Sequence, residues 1–178
     1  YYAMIKNLDD SIGEIKKALE NEGILDNTLI IFTSDNGGAT YTRATNNSPY
    51  LGGKMSNFEG GTVVPMMIQW NNKIKPQENY NHMVSLLDIV PTILDILSLD
   101  APETIKGISQ LPIHGTSMKY TFSKNTSVSN KKVQYFEMLG DRGIWANGWK
   151  AVTRHQKGEP FENDKWELYQ IEKDFSEK

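Results

Sequence analysis

The chain has 178 residues, with 19 Lys plus Arg against 22 Asp plus Glu and a formal charge of -3, so it lacks the basic excess that drives non-specific nucleic-acid binding. Cysteine is absent, which excludes a disulfide framework or a thiolate metal site within these residues and leaves the redox compartment open. No apolar stretch reaches the roughly eighteen residues of a membrane span, so a soluble chain is expected, long enough to bury roughly two-thirds of its unfolded surface.

Tyr1 to Met4 already lie inside a helical pattern, with no initiator, signal peptide or N-cap ahead of them, which predicts an excised piece of a longer protein. Ile5, Leu8, Ile12, Ile15 and Leu19 recur at helical spacing and Gly23 is placed to stop the helix, so one apolar face is expected to pack on a sheet. Thr28 to Thr33 reads as a short strand buried on both faces. Thr33-Ser34-Asp35-Asn36-Gly37-Gly38 follows it directly, and Leu51-Gly52-Gly53-Lys54 and Phe58-Glu59-Gly60-Gly61 are two further glycine turns. Val63 to Trp70 is a second expected strand, with Pro65 near its start or at a sheet edge. Residues 71–81 read as a surface loop.

Asp88 is placed to cap a helix containing Ile89, Val90, Ile93, Leu94 and Leu97, with Pro91 tolerated in the first turn. Residues 100–117 hold Pro102, Gly107, Pro112 and Gly115 and read as an irregular crossing loop. The polar tract 123–132 is the natural boundary between 1–122 and 123–178. Beyond it, Ile144-Trp145-Ala146 and Trp149-Lys150-Ala151-Val152 flank Asn147-Gly148, the pair best suited to a two-residue hairpin, so a small antiparallel sheet is expected.

An isolated Asp-Asn-Gly is ordinarily only a turn. Directly after an apolar strand, however, Asp35 and Asn36 put two adjacent oxygen donors where open α/β sheets collect ligands, and such donors suit a hard cation such as calcium. Lys54 carries a compact positive charge on a long stem, and the glycines before it let the backbone approach an anion. Glu59 reads as a capping or loop-bracing residue. His114 lies in a loop able to line a substrate pocket, His155 has similar standing at a strand end, and His82 reads as structural. Trp145, Trp149 and Trp166 are expected to fill the core of the small sheet.

The order of strand, S-D-N-G, G-G-K and F-E-G-G-x-x-x-P resembles the second half of a type I sulfatase, the calcium and formylglycine enzymes of the alkaline phosphatase superfamily. Leu86 to Thr92 resembles the family's following helix. Gln134 to Met138, Gly140 to Ile144, Gly148 to Thr153 and Trp166 to Tyr169 resemble the bacterial arylsulfatase branch. The resemblance implies an α/β fold: the C-terminal part of an alkaline-phosphatase-like α/β/α sandwich over 1–122, followed by a small antiparallel subdomain over 123–178. It implies hydrolysis of sulfate monoesters, aryl or glycan, to alcohol or phenol plus sulfate. Asp35 and Asn36 then ligate calcium, and Lys54 holds the sulfate ester near the leaving oxygen.

The family's nucleophile motif, C-x-P-x-R or S-x-P-x-R, does not occur in this sequence. The resemblance places its formylglycine, made from Cys or Ser, N-terminal to this stretch, so the chain alone is expected to be inactive. A periplasmic or secreted location is implied by the resemblance only. Two alternatives stay open: a phosphate or phosphonate monoester hydrolase of the same superfamily, and a non-catalytic protein that binds sulfated glycans.

Overall fold

The computed structural model describes residues 1–76, 79–123 and 128–178. Residues 77–78 of the expected surface loop and 124–127 of the polar tract lie outside the described residues. Contacts divide the chain into two compact units, one formed by Tyr1–Trp70 with Val133–Lys178 and the other by Asn71–Lys132. These breaks fall after residues 70 and 132, whereas the polar-tract reading puts its break after residue 122.

In the first unit, α1 (Tyr2–Asn21) forms where the helical periodicity predicts it and ends before Gly23, whose φ of 67° suits a left-handed stop. Its apolar face does not pack on a sheet: Ile5, Leu8 and Ile15 are about half exposed and the helix has no buried residue. The strand β1 (Ile30–Thr33) is half-buried instead of covered on both faces. It pairs antiparallel with β2 (Met66–Gln69), in the register Ile30 to Gln69 and Thr33 to Met66. Pro65 immediately precedes β2, where a missing N–H costs no ladder bond, and its carbonyl accepts from Thr33 Oγ1 at 3.0 Å. Between the strands, Glu59–Thr62 make one helical turn, α2.

The same unit carries a four-stranded antiparallel sheet, β5 (Val133–Met138), β6 (Asp141–Ala146), β7 (Trp149–Thr153) and β8 (Trp166–Gln170), in chain order. Asn147 and Gly148 have φ of 48° and 83°, the double positive-φ turn whose twist matches a tight hairpin. The hairpin before it turns through Leu139-Gly140, with Leu139 at φ 57°, a conformation its side chain does not favour and no composition signal announces. One face of the sheet bears Gln134, Gly143, Lys150 and Val152, all buried. The other bears Val133, Tyr135, Ile144, Trp149 and Leu168, each more than a third exposed.

In the second unit, α3 (Ile89–Leu97) begins as expected after Asp88. The Asp88 side chain caps the preceding turn at Leu86–Asp88, not α3, through a reciprocal box with Ser85. Asp88 is almost fully buried, accepts from the Ser85 and Thr116 amides at 2.8 Å each, and pairs with Lys131 at 3.0 Å. It is structural, as its position suggests. The irregular stretch from residue 100 to 117 contains a two-residue ladder between β3 (Thr104–Ile105) and β4 (Ile108–Ser109).

Candidate active site

Three glycine turns of the first unit meet next to the end of β1. Gly37 N donates to Gly61 O at 2.9 Å, Lys54 N to Gly38 O at 3.0 Å, and Gly60 N to Leu51 O at 2.7 Å. Each turn is thereby tied to the other two through main-chain groups. The approach is close enough that a methyl group at Gly37 would collide with the Gly60 carbonyl oxygen. Asn47 adds a side-chain knot, its Nδ2 lying within hydrogen-bond distance of the carbonyls of Gly38, Gly52 and Gly60.

The backbone bonds leave the charged side chains of these turns uncommitted. Asp35 is exposed and its carboxylate has no hydrogen-bond or ion-pair partner among the described residues, and the same holds for the exposed Lys54 ammonium. Asn36 Nδ2 donates to Gly37 O at 2.9 Å, which spends its donor locally and leaves its oxygen as an acceptor. A carboxylate and a neutral amide oxygen on adjacent residues fit a hard cation, but calcium takes six to eight oxygens. No group of three or more His, Cys, Asp or Glu suited to a metal occurs among the described residues, so these two donors do not by themselves make up a calcium shell.

Beneath the turns lies a buried charge cluster. Lys150 on β7 donates from Nζ to Glu59 Oε1 at 2.6 Å and to Thr62 Oγ1 at 3.0 Å, and Glu177 Oε1 is 3.6 Å away. Glu177 Oε2 accepts from the Glu59 amide at 2.6 Å. Burial pushes the Glu177 carboxyl up from its ordinary range, against the attraction of Lys150 and the bond from the Glu59 amide. Lys150 is 1% exposed and Glu177 2%, so the cluster holds α2, and with it Gly60 and Gly61, from below. Nearby, Asn57 Nδ2 donates to Asp141 O at 2.7 Å and ties the Lys54 turn to the start of β6.

A family model described as Sulfatase matches residues 1–99. The chain belongs to the sulfatase family. A second model, described as N-sulphoglucosamine sulphohydrolase, C-terminal, matches residues 53–178 of this sulfatase chain. The uncharacterized sulfatase YdeN of Escherichia coli (strain K12) is 37% identical over 63% of this chain and 20% of its own length. N-acetylgalactosamine-6-sulfatase of Mus musculus is 32% identical over 86% of the chain and 31% of its own. The crystal structure of Ps i-CgsB in complex with k-i-k-neocarrahexaose superposes with a TM-score of 0.78 at 33% identity, covering 100% of this chain and 37% of that one. The fold is α/β, shared also with the PsFucS1 sulfatase of Pseudoalteromonas sp., which superposes with a TM-score of 0.74 at 24% identity over 96% of this chain and 36% of that one, and the sulfatase chain spans about a fifth to a third of the length of these curated relatives.

Of the residues singled out in the sequence, Asp35, Asn36 and Lys54 come together on the joined turns. His114 lies exposed in the other compact unit. His155 is engaged: its ring stacks on Phe161 at 4.1 Å and its Nδ1 lies 3.1 Å from both Asp164 oxygens. Arg142 reaches the same carboxylate at 2.6 Å and covers the Phe161 ring. Burial opposes ionisation of Asp164, but the bonds from His155 and Arg142 prevail and hold its carboxyl below the ordinary value of 3.8. His82 packs edge-on against Tyr80. Trp149 and Trp166 do not fill the sheet core but are 45% and 47% exposed, because both lie on the uncovered face, whereas Trp145 is half-buried on the other.

Asn47, Lys150 and Glu177 are missed by the sequence reading. A signal existed for Lys150, since strand alternation puts it on the same face as Val152. None existed for Asn47 or Glu177, which stand in polar stretches.

Proposed function

We propose that the protein carrying this chain hydrolyses sulfate monoesters, breaking the sulfur–oxygen bond to release an alcohol or phenol and inorganic sulfate. The observation that carries the reading is the main-chain union of the S-D-N-G-G and G-G-K turns, which puts two oxygen donors and one ammonium, all uncommitted, on one rigid frame. Asp35 and Asn36 are the residues of this chain that would hold calcium, completed by ligands from elsewhere. When bound, that ion supplies a fixed positive charge for sulfate oxygens.

Lys54 then has two roles. Its ammonium binds the anionic ester, and it stabilises the negative charge that grows on the leaving oxygen, an effect that gains strength as water is excluded. The formylglycine nucleophile is assigned to a part of the protein outside these residues, so the chain as given is proposed to be inactive alone. Residues 1–122 then form the C-terminal portion of the catalytic core and 123–178 a small antiparallel subdomain.

For substrate class, the names of two relatives favour a sulfated saccharide: N-acetylgalactosamine-6-sulfatase and the carbohydrate complex of Ps i-CgsB. His114 is retained as a substrate contact, to be tested by the KM of His114→Ala on such a saccharide. A periplasmic or secreted location is proposed from the family; among the described residues no helix is long and apolar enough to cross a membrane. The decisive experiment compares turnover of matched sulfate and phosphate esters by the protein that carries this chain. A strong sulfate preference is expected. Preference for phosphate would move the assignment to the phosphatase alternative, and binding of sulfated saccharide without turnover of either ester would favour the non-catalytic one.

A further inference from the structure

We propose that Asn47 is a positioning residue that fixes the Lys54 turn against the Asp35-Asn36 turn, a role resting on the reading that these turns form one sulfate ester site. The carboxamide nitrogen has two hydrogens and faces three acceptors: Gly60 O at 2.9 Å, Gly38 O at 3.0 Å and Gly52 O at 3.3 Å. Each acceptor belongs to a different turn. The two shorter bonds join the metal-side turn to the E-G-G turn, and the longer, shared bond gathers in the G-G-K turn. The main-chain bonds link the turns only in pairs, Gly37 with Gly61, Lys54 with Gly38 and Gly60 with Leu51. Asn47 Nδ2 is a single atom that reaches all three.

The energetic logic is one of placement. A donor shared by three carbonyl oxygens holds together groups whose negative ends converge on one point and would otherwise repel one another. Removing it lets the turns separate without removing either functional side chain. Displacement of a catalytic group by about 1 Å can cost roughly a hundredfold in rate. Asn47 itself touches no substrate in this scheme and acts through Lys54.

The test is a double-mutant cycle in the protein that carries this chain, with Asn47→Ala, Lys54→Ala and the pair assayed on a sulfate ester. Asn47→Ala is expected to lower kcat roughly tenfold to a hundredfold in the Lys54 background, but by less than about threefold once Lys54 is alanine, because residues acting through one group are non-additive. Asn47→Asp, of equal size but facing three oxygens with a carboxylate, is expected to be worse than alanine; a space-filling role predicts the reverse order. Hydrogen exchange should quicken together over residues 34–39, 51–56 and 58–62 in Asn47→Ala.

An undiminished loss in the Lys54→Ala background, or unchanged exchange in the three segments, would overturn the positioning role while leaving the site reading intact. Near-normal turnover by Lys54→Ala alone would overturn the site and the role together. If Asn47→Ala does not fold, Asn47→Ser, which keeps a shorter donor, carries the same cycle and the same outcomes.

Discussion

The upper and lower parts of the site-bearing unit are locked by different kinds of group. Above, the three glycine turns are joined main chain to main chain, and the side chains of Asp35 and Lys54 stay free. Below, Glu59, Lys150 and Glu177 lock α2 to the sheet with charged side chains that are themselves buried. A backbone lock holds geometry and keeps chemistry available, whereas a side-chain lock spends its charges on the fold. Substitution should therefore separate the two: charge removal above should cost function, and charge removal below should cost stability.

The largest effect is expected from Lys150→Ala, which leaves Glu59 and Glu177 buried without their cation. Breaking a buried pair in this way costs about 3–5 kcal/mol, and denaturant unfolding should report a loss of that order. A variant as stable as the wild type would mean that the cluster is relaxed by water and is no lock. Lys54→Ala should reverse the pattern, lowering sulfate ester turnover by roughly a hundredfold or more with the unfolding midpoint little changed. Near-normal turnover would return Lys54 to the role of an ordinary surface charge.

Asp35 and Asn36 sharpen the comparison within the upper lock. Asp35→Ala should weaken calcium binding more than Asn36→Ala, because a charged oxygen attracts a hard dication more strongly than a neutral one. Calorimetric titration of both variants checks this, and unaltered affinity in both would remove the metal assignment.

The Arg142, His155 and Asp164 cluster supplies a pH test. Because the folded state depresses the Asp164 carboxyl below its ordinary 3.8, its stabilisation is present above that value and is lost as pH falls through the depressed one. Asp164→Asn should accordingly be less stable than the wild type at neutral pH, with the gap closing in acid. A gap that stays constant below pH 3.8 would show that the carboxyl does not titrate in the way described. The smallest effect belongs to the exposed pair of Lys6 and Asp10 on α1. Lys6→Ala should cost no more than about 0.3–0.5 kcal/mol, measured in the same unfolding assay.

Legibility in the sequence followed the range of the interactions. The Asn147-Gly148 hairpin and the α3 start after Asp88 were readable because each is decided by a few adjacent residues, whereas the second strand, read as Val63 to Trp70, forms only over Met66–Gln69. The glycine turns were readable as turns for the same reason as the hairpin, and the family resemblance supplied the chemistry proposed for them. Asn47 was not, since its partners are defined only once three turns have folded together. Glu177 was not, and Lys150 only as a lysine sharing the face of Val152, since the partnership of each with Glu59 spans 118 and 91 residues respectively. The exposed faces of α1 and of the sheet defeated the reading in the opposite sense, because periodicity reports which face is apolar without saying what lies against it.

That separation of 118 residues between Glu59 and Glu177 also sets a timetable for biosynthesis. A ribosome adding roughly 5–20 residues per second needs about 6 to 24 seconds to pass from one to the other. Throughout that interval the helical turn containing Gly60 and Gly61 lacks its anchoring carboxylate, and Lys150 emerges before its second acidic neighbour exists. The nascent site consequently waits for its anchor, and its turns stay unbraced while translation continues.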